Sequence, residues 1–156
     1  MKTIGIIIIL TLSVLVGFIL SDNLRTRLKN ITSLCSFVEY ISENIRLYKT
    51  PLDEIFTSFS NEYLEKTGFI KGLETGLYNS AKNAGLLYGD EESIIIKTVS
   101  DKLGYGTVDE MDKLCSSAIN KLKNLEDKLK KELPDKQKVY RTISVLAGAS
   151  IVIMFI

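Results

Sequence analysis

Apolar residues are unevenly distributed along the 156-residue chain. Residues 3–21 and 142–156 carry no charge and are largely aliphatic, whereas apolar and charged positions alternate between them. As a helix, the first run can cross most of a hydrocarbon core of about 30 Å, and the second is shorter. The pattern predicts an N-terminal transmembrane anchor at 1–21, a helical domain at 22–141 and a C-terminal transmembrane segment at 142–156.

Each apolar end has an alternative interpretation. Residues 1–21 could be a cleaved signal peptide, but a small-residue cleavage site is missing and the run is long for such a peptide. Residues 142–156 could be a buried core helix, although the size of the middle domain argues against it. Basic residues flank both runs on the side of the middle domain: Arg25, Arg27, Lys29, Lys136, Lys138 and Arg141. The positive-inside rule therefore predicts a cytoplasmic middle domain with both termini outside.

Two long segments of the middle domain show helical periodicity. Apolar residues recur every three or four positions from Leu24 to Tyr48, and again from Met111 to Leu133 opposite a face of mixed charge. Thr50-Pro51 is expected to end the first helix, and Pro134 to stop or kink the last one. One long helix is expected to run from the membrane into the cytoplasm and the other to run back. This arrangement predicts an all-α protein with a small antiparallel helical bundle.

Three shorter helices are predicted between the long ones. The sequence TPLDE at 50–54 indicates a helix start with Thr50 as its cap, and this helix is expected to continue to a break at Thr67-Gly68. A second helix is expected from Ile70 to Ala84, with Gly72 and Gly76 as weak points.

The third short helix is expected to begin at Asp90, and its buried residues are predicted to be Ile94, Ile95, Val99 and Leu103. A strand over 94–96 is rejected, because no second strand-like segment could pair with it. After the turn at 104–106, Thr107 and Glu110 have the spacing of a capping box.

The composition limits the chemistry. The chain has no histidine, and its 20 basic and 19 acidic residues nearly balance, so a nucleic-acid binder is not expected. Cys35 and Cys115 lack cysteine or histidine neighbours at metal-ligand spacing and are predicted to be core thiols; a disulfide is left open only for an oxidising compartment. Asn30 begins a sequence with the form of an N-glycosylation site, but glycosylation is not expected in a cytoplasmic domain.

The best carboxylates for an enzyme lie in the first turns of helices, where acidic residues are expected anyway. They are Glu91, Glu92, Asp109, Glu110 and Asp112. We therefore predict that the protein is not an enzyme, and no catalytic, cofactor-binding or metal-binding residue is assigned.

The order of these features resembles stage III sporulation protein AB of endospore-forming bacteria. The resemblance rests on the apolar ends, on TPLDEI at 50–55, on LGYGTVDEM at 103–111 and on KVYRTISVLAG at 138–148. Members of that family favour an aspartate and a later glutamine in the turn, where this chain has Thr107 and Met111. Thr107 preserves the capping role, whereas Met111 removes an amide.

The resemblance implies a soluble part similar to the F-type platform proteins of type II secretion and type IV pilus systems. It also implies a scaffold in the outer forespore membrane of the mother cell, which docks a cytoplasmic secretion-type ATPase in a complex linking mother cell and forespore. Other stage III sporulation membrane proteins and the lipid bilayer are the further expected partners, and homo-oligomers are left open. The alternative is a membrane-tethered helical adaptor or signalling protein without a secretion partner.

Overall fold

The computed structural model is helical throughout the part it describes, which is the backbone of residues 2–155 and the side chains of residues 11, 12, 15, 19, 22–151 and 153. Its helices are α1 (Lys2–Tyr48), α2 (Leu52–Ser58), α3 (Glu62–Lys66), α4 (Phe69–Gly72), a 3-10 turn (Leu73–Thr75), α5 (Leu77–Asn83), α6 (Asp90–Lys102) and α7 (Val108–Phe155). Residues 2–155 contain no strand, so the all-α prediction is confirmed.

The chain divides into two compact units. The central unit is Lys29–Asp127, and the terminal unit combines Met1–Leu28 with Lys128–Ile156. Both long helices contribute a segment to each unit. We describe the two units separately.

Within the central unit, α1 and α7 run antiparallel. Thr32 Oγ1 donates to Glu126 Oε1 at 2.8 Å, and Ser42 Oγ donates to Asp112 Oδ1 at 2.7 Å. Between these bonds, Lys123 Nζ lies 2.6 Å from Glu39 Oε1. Residue numbers therefore rise along α1 as those of their partners fall along α7, and the predicted antiparallel arrangement is correct for this unit.

The core of the central unit is built on the predicted apolar stripe of α1. This stripe contributes the buried side chains of Ile31, Leu34, Cys35, Phe37, Val38, Ile41 and Ile45. From α7, Cys115, Ala118, Leu122 and Leu125 are buried as predicted. Tyr48 was also placed on the stripe, but it is exposed because it ends α1, where no further turn covers it.

The prediction that Thr50 caps α2 was wrong. Lys49 adopts a left-handed φ of 51°, and Pro51 is the N-cap, with an extended ψ of 144° and no side-chain capping bond. The Pro51 carbonyl instead accepts from the N–H groups of Glu54 and Ile55, each at 3.1 Å. The chain therefore enters α2 one residue later than predicted.

The first short helix does not continue to Thr67. It ends at Ser58, and α3 starts at Glu62 because Asn61 Oδ1 accepts from the N–H groups of Tyr63 at 3.1 Å and Leu64 at 3.0 Å. An asparagine N-cap of this kind satisfies backbone donors that have no partner in the first turn.

The helix predicted from Ile70 to Ala84 is also divided, at its two glycines. Gly72 ends α4, and Gly76, with φ of 101°, separates the 3-10 turn from α5. The Ser80 hydroxyl donates to the Phe69 carbonyl, so α5 folds back against α4. A Cβ at position 72 would lie 2.7 Å from Ser80 Oγ, which explains the glycine at this close approach.

Helix α6 is rotated relative to the prediction. Its cap is Gly89 rather than Asp90, and its buried residues are Glu92, Ile96 and Val99. Ile94 is 65% exposed and Ile95 is half-buried, so these two were misassigned. The three consecutive isoleucines allow several apolar faces, and the buried face is the one that carries Ile96, Val99 and Glu92. The Glu92 carboxylate accepts from the Gly89 N–H at 2.6 Å.

In the terminal unit, Pro134 lies inside α7, so of the two predicted outcomes, a stop or a kink, the stop does not occur. A proline costs the helix one N–H donor, and the bonds of the neighbouring turns continue past it. Gly148 is buried, whereas Ala147 and Ser150 are exposed.

Among the side chains that the structure describes, no helix is both long enough and apolar enough to cross a membrane. Most side chains of the predicted anchor at 1–21 lie outside the described residues, as do several of those at 142–156. The two anchors remain predictions.

Candidate functional site

The turn between α6 and α7 has a conformation that requires glycine at two positions. Gly104 and Gly106 have φ values of 91° and 110°. A Cβ at Gly104 would lie 3.2 Å from Leu52 Cδ1, and one at Gly106 would lie 2.6 Å from Glu110 Oε2. The turn places the Tyr105 side chain, which is 80% exposed, at the surface.

The predicted capping box at the start of α7 is confirmed. The Thr107 N–H donates to Glu110 Oε2 at 2.7 Å, and the Glu110 N–H donates to Thr107 Oγ1 at 3.3 Å. The backbone hydrogen bond from Thr107, followed by that of its hydroxyl at 3.1 Å, lowers the pKa of the Glu110 carboxyl. The turn is therefore fixed at its glycines and at the helix start.

This capping box predicts a dependence of stability on pH. Because the pKa of Glu110 is lowered from 4.5 in the folded state, its contribution is present above that value and is lost as the pH falls through the folded pKa. We expect the stability difference between the wild type and Glu110→Gln to shrink as the pH is lowered from about 7 to about 3. Urea unfolding of the full chain at several pH values measures this stability difference. A difference that stays constant with pH would contradict the role of the Glu110 carboxylate in the capping box.

An open groove of about 500 Å³ lies beside this turn. We call it the turn groove, and it is lined by Asp101, Lys102, Tyr105, Glu110, Met111, Lys113 and Leu114. Its lining combines apolar side chains with two acidic and two basic ones. An exposed aromatic residue together with other apolar and charged side chains is typical of a protein-binding surface.

A second groove of about 450 Å³ lies where α2 faces α4 and the 3-10 turn. It is lined by Asp53, Phe56, Thr57, Ile70, Lys71, Leu73 and Glu74. The sequence predicted neither groove, since both depend on how helices distant in sequence pack.

The carboxylates considered for catalysis are not brought together. Glu92 is fully buried and bonded to the start of α6, Glu110 caps α7, and Asp112 accepts from Ser42 on α1. Glu91 and Asp109 are exposed in first turns of separate helices. No cluster of histidine, cysteine, aspartate or glutamate within the described residues could hold a metal ion.

Both cysteines are buried free thiols, as predicted. Burial raises the pKa of each thiol to about 11, and nearby Glu39 for Cys35 and Asp112 for Cys115 act in the same direction.

Basic and acidic residues nearly balance over the whole chain, but they are unevenly distributed between the two units. The central unit has 11 basic and 16 acidic residues, so its net charge is negative. The terminal unit has nine basic and three acidic residues, and its net charge is positive.

A family model described as stage III sporulation protein AB matches residues 2–156. The chain belongs to the stage III sporulation protein AB family. It is therefore a sporulation-related protein, and the resemblance noted in the sequence is confirmed. Comparisons with curated proteins and with solved structures gave no match.

Two positions of the turn, Thr107 and Met111, were singled out in the sequence, and of these Met111 lines the turn groove. Thr107 makes the capping box, so the role expected of that position is kept. The Met111 side chain is half-buried and lines the groove. The turn groove of this member of the stage III sporulation protein AB family therefore contains a flexible thioether.

Proposed function

We propose that the protein is a non-enzymatic membrane platform of a sporulation complex, and that its central unit docks a cytoplasmic secretion-type ATPase through the turn groove. The observation that carries this proposal is the exposure of Tyr105 on a turn fixed by two glycines and a capping box. A rigidly presented aromatic side chain contributes contact area without a large loss of conformational entropy on binding.

The use of the acidic side chains supports binding rather than catalysis. A general acid or base needs a carboxyl group within hydrogen-bond reach of a substrate site. Glu92, Glu110 and Asp112 instead bond to groups of the protein itself. A scaffold requires only a stable surface, which these bonds help to provide.

The membrane attachment is supported by the terminal unit. Residues 3–21 are uncharged. Among the described side chains of this unit, the exposed large aliphatic ones include Leu12, Leu15, Ile19, Val139, Ile143, Val145, Leu146, Ile151 and Ile153. Water-soluble surfaces rarely present so many large aliphatic groups within two helices, whereas lipid solvates them well.

The docking proposal is tested by affinity capture of the full-length protein in mild detergent from sporulating cells. We expect recovery of a secretion-type ATPase, and we expect Tyr105→Ala to reduce it by about tenfold or more, since truncation of a hot-spot aromatic costs about 2 kcal/mol. The matched control is Tyr48→Ala, which removes another exposed tyrosine, at the end of α1.

Equal recovery with both tyrosine variants would contradict a docking role for the turn groove. Capture of companion membrane subunits without any ATPase would contradict the choice of partner. A protein that captures no partner at all would favour the membrane-tethered adaptor.

A further inference from the structure

Positive charge in the terminal unit is concentrated next to the predicted apolar ends. Residues 22–28 and 128–141 contain eight basic residues and three acidic ones. We call these eight residues the basic cluster. Seven of them are exposed and Arg27 is half-buried, so almost all of this charge is accessible.

Three cations of the basic cluster, from both helices of the terminal unit, lie near a common carboxylate. Lys136 Nζ is 2.6 Å from Glu132 Oε2. This bond lowers the pKa of Glu132, and the charges of Lys136, Lys128 and Arg27 act in the same direction. One carboxylate thus lies among three cations, and the net charge of the two segments is positive.

At its C-terminal edge, the basic cluster meets an apolar groove of about 310 Å³. The groove is lined by Arg141 and Thr142, and one helical turn further by Val145 and Leu146. A guanidinium group and a hydroxyl group therefore lie at one end of the groove, and aliphatic side chains lie at the other.

We infer that this groove is a binding site for an anionic phospholipid, with the lipid phosphate at Arg141 and an acyl chain along Val145 and Leu146. The remaining residues of the basic cluster hold further anionic head groups at the membrane surface. Arginine suits this role because its planar guanidinium donates two parallel hydrogen bonds to a phosphate. The inference rests on the membrane attachment proposed above.

The apolar half of the site favours lipid over other anions. A nucleic acid or an acidic protein surface would use the cations but would leave Val145 and Leu146 against water. Val139 and Ile143, on either side of Arg141 along α7, are also exposed. An amphiphile with one anionic end matches both halves of the groove.

The test reconstitutes the full chain into nanodiscs of phosphatidylcholine mixed in equal parts with phosphatidylglycerol. After extraction in mild detergent, native mass spectrometry counts the molecules of each lipid that remain bound. The variant is Arg141→Gln, which keeps a polar side chain of similar length. The matched control is Arg46→Gln, which removes the same charge from an exposed arginine in the central unit.

We expect the wild type and Arg46→Gln to retain phosphatidylglycerol in preference to phosphatidylcholine. Arg141→Gln is expected to lose about fivefold of that preference, the effect of about one basic residue at an anionic surface. The preference is also expected to fall as salt is added. Inorganic phosphate should not displace the lipid, because it cannot occupy the apolar half of the groove.

Equal retention of the two lipids by the wild type would overturn the inference, and so would an unchanged preference in Arg141→Gln. Displacement by inorganic phosphate would show an anion site without a lipid tail and would also overturn it. Failure of the membrane attachment is a separate result, because the chain would then be released by alkaline carbonate from vesicles of phosphatidylcholine alone.

Discussion

Phe37→Ala is expected to lower the free energy of unfolding by about 3–5 kcal/mol, the usual cost of removing a buried phenyl ring from a core. The Phe37 side chain is 0% exposed, and its ring is 4.9 Å from that of Phe59 and 5.1 Å from that of Phe69, both nearly edge to face. These contacts join α1 to the short helices of the central unit. Since whole domains are stable by only about 5–15 kcal/mol, the loss would be large. Urea unfolding of the full chain in mild detergent measures it.

Phe56→Ala is the matched control for this prediction. Phe56 is half-buried, and its ring contacts that of Phe37 at 6.0 Å. We expect its truncation to cost about 1 kcal/mol, as for an average substitution. Equal losses for the two variants would show that Phe37 is not the centre of the aromatic cluster.

The elements predicted best are those that depend on short-range pattern. The apolar stripe of α1 and the Thr107–Glu110 capping box have fixed helical spacings, and both occur as predicted except that Tyr48, at the end of the stripe, is exposed. Repeated apolar spacing over many residues leaves only one face that can enter a core, and a capping box satisfies donors within one turn.

The breaks between the short helices were harder to predict because tertiary contacts set them. The Asn61 cap has a recognisable local pattern, but the apolar residues on both sides of it suggested a single helix. At Gly72, the Ser80 side chain approaches so closely that a side chain would not fit, and sequence spacing cannot show this. Local helix propensity is a weak guide to helix ends where packing and backbone hydrogen bonds determine them.

The turn groove illustrates the same limit at the candidate site. Its turn was predicted from glycines and capping residues close in sequence. Its volume depends on how the end of α6 faces the start of α7, and no local pattern records that. The turn could therefore be predicted from the sequence, whereas the groove beside it could not.

Asn30 has a structural role that its position in the sequence does not indicate. It forms part of a sequon, yet its side chain is 1% exposed. Its Nδ2 donates to the carbonyls of Gly85 at 3.2 Å and Leu86 at 3.3 Å, and its Oδ1 accepts from the Tyr63 hydroxyl at 2.5 Å. One amide thus connects α1 to α3 and to the loop after α5.

Asn30→Ala is expected to lower the free energy of unfolding by about 2–4 kcal/mol, because each buried polar group left without a partner costs about 1–3 kcal/mol. The control is Asn120→Ala, an exposed asparagine within α7. Alanine raises helix propensity equally at both sites, so the difference between the variants isolates the buried bonds. Urea unfolding of the full chain measures that difference. Hydrogen exchange should be faster at 85–86 in Asn30→Ala alone, and unchanged exchange there would show that Asn30 does not hold this loop.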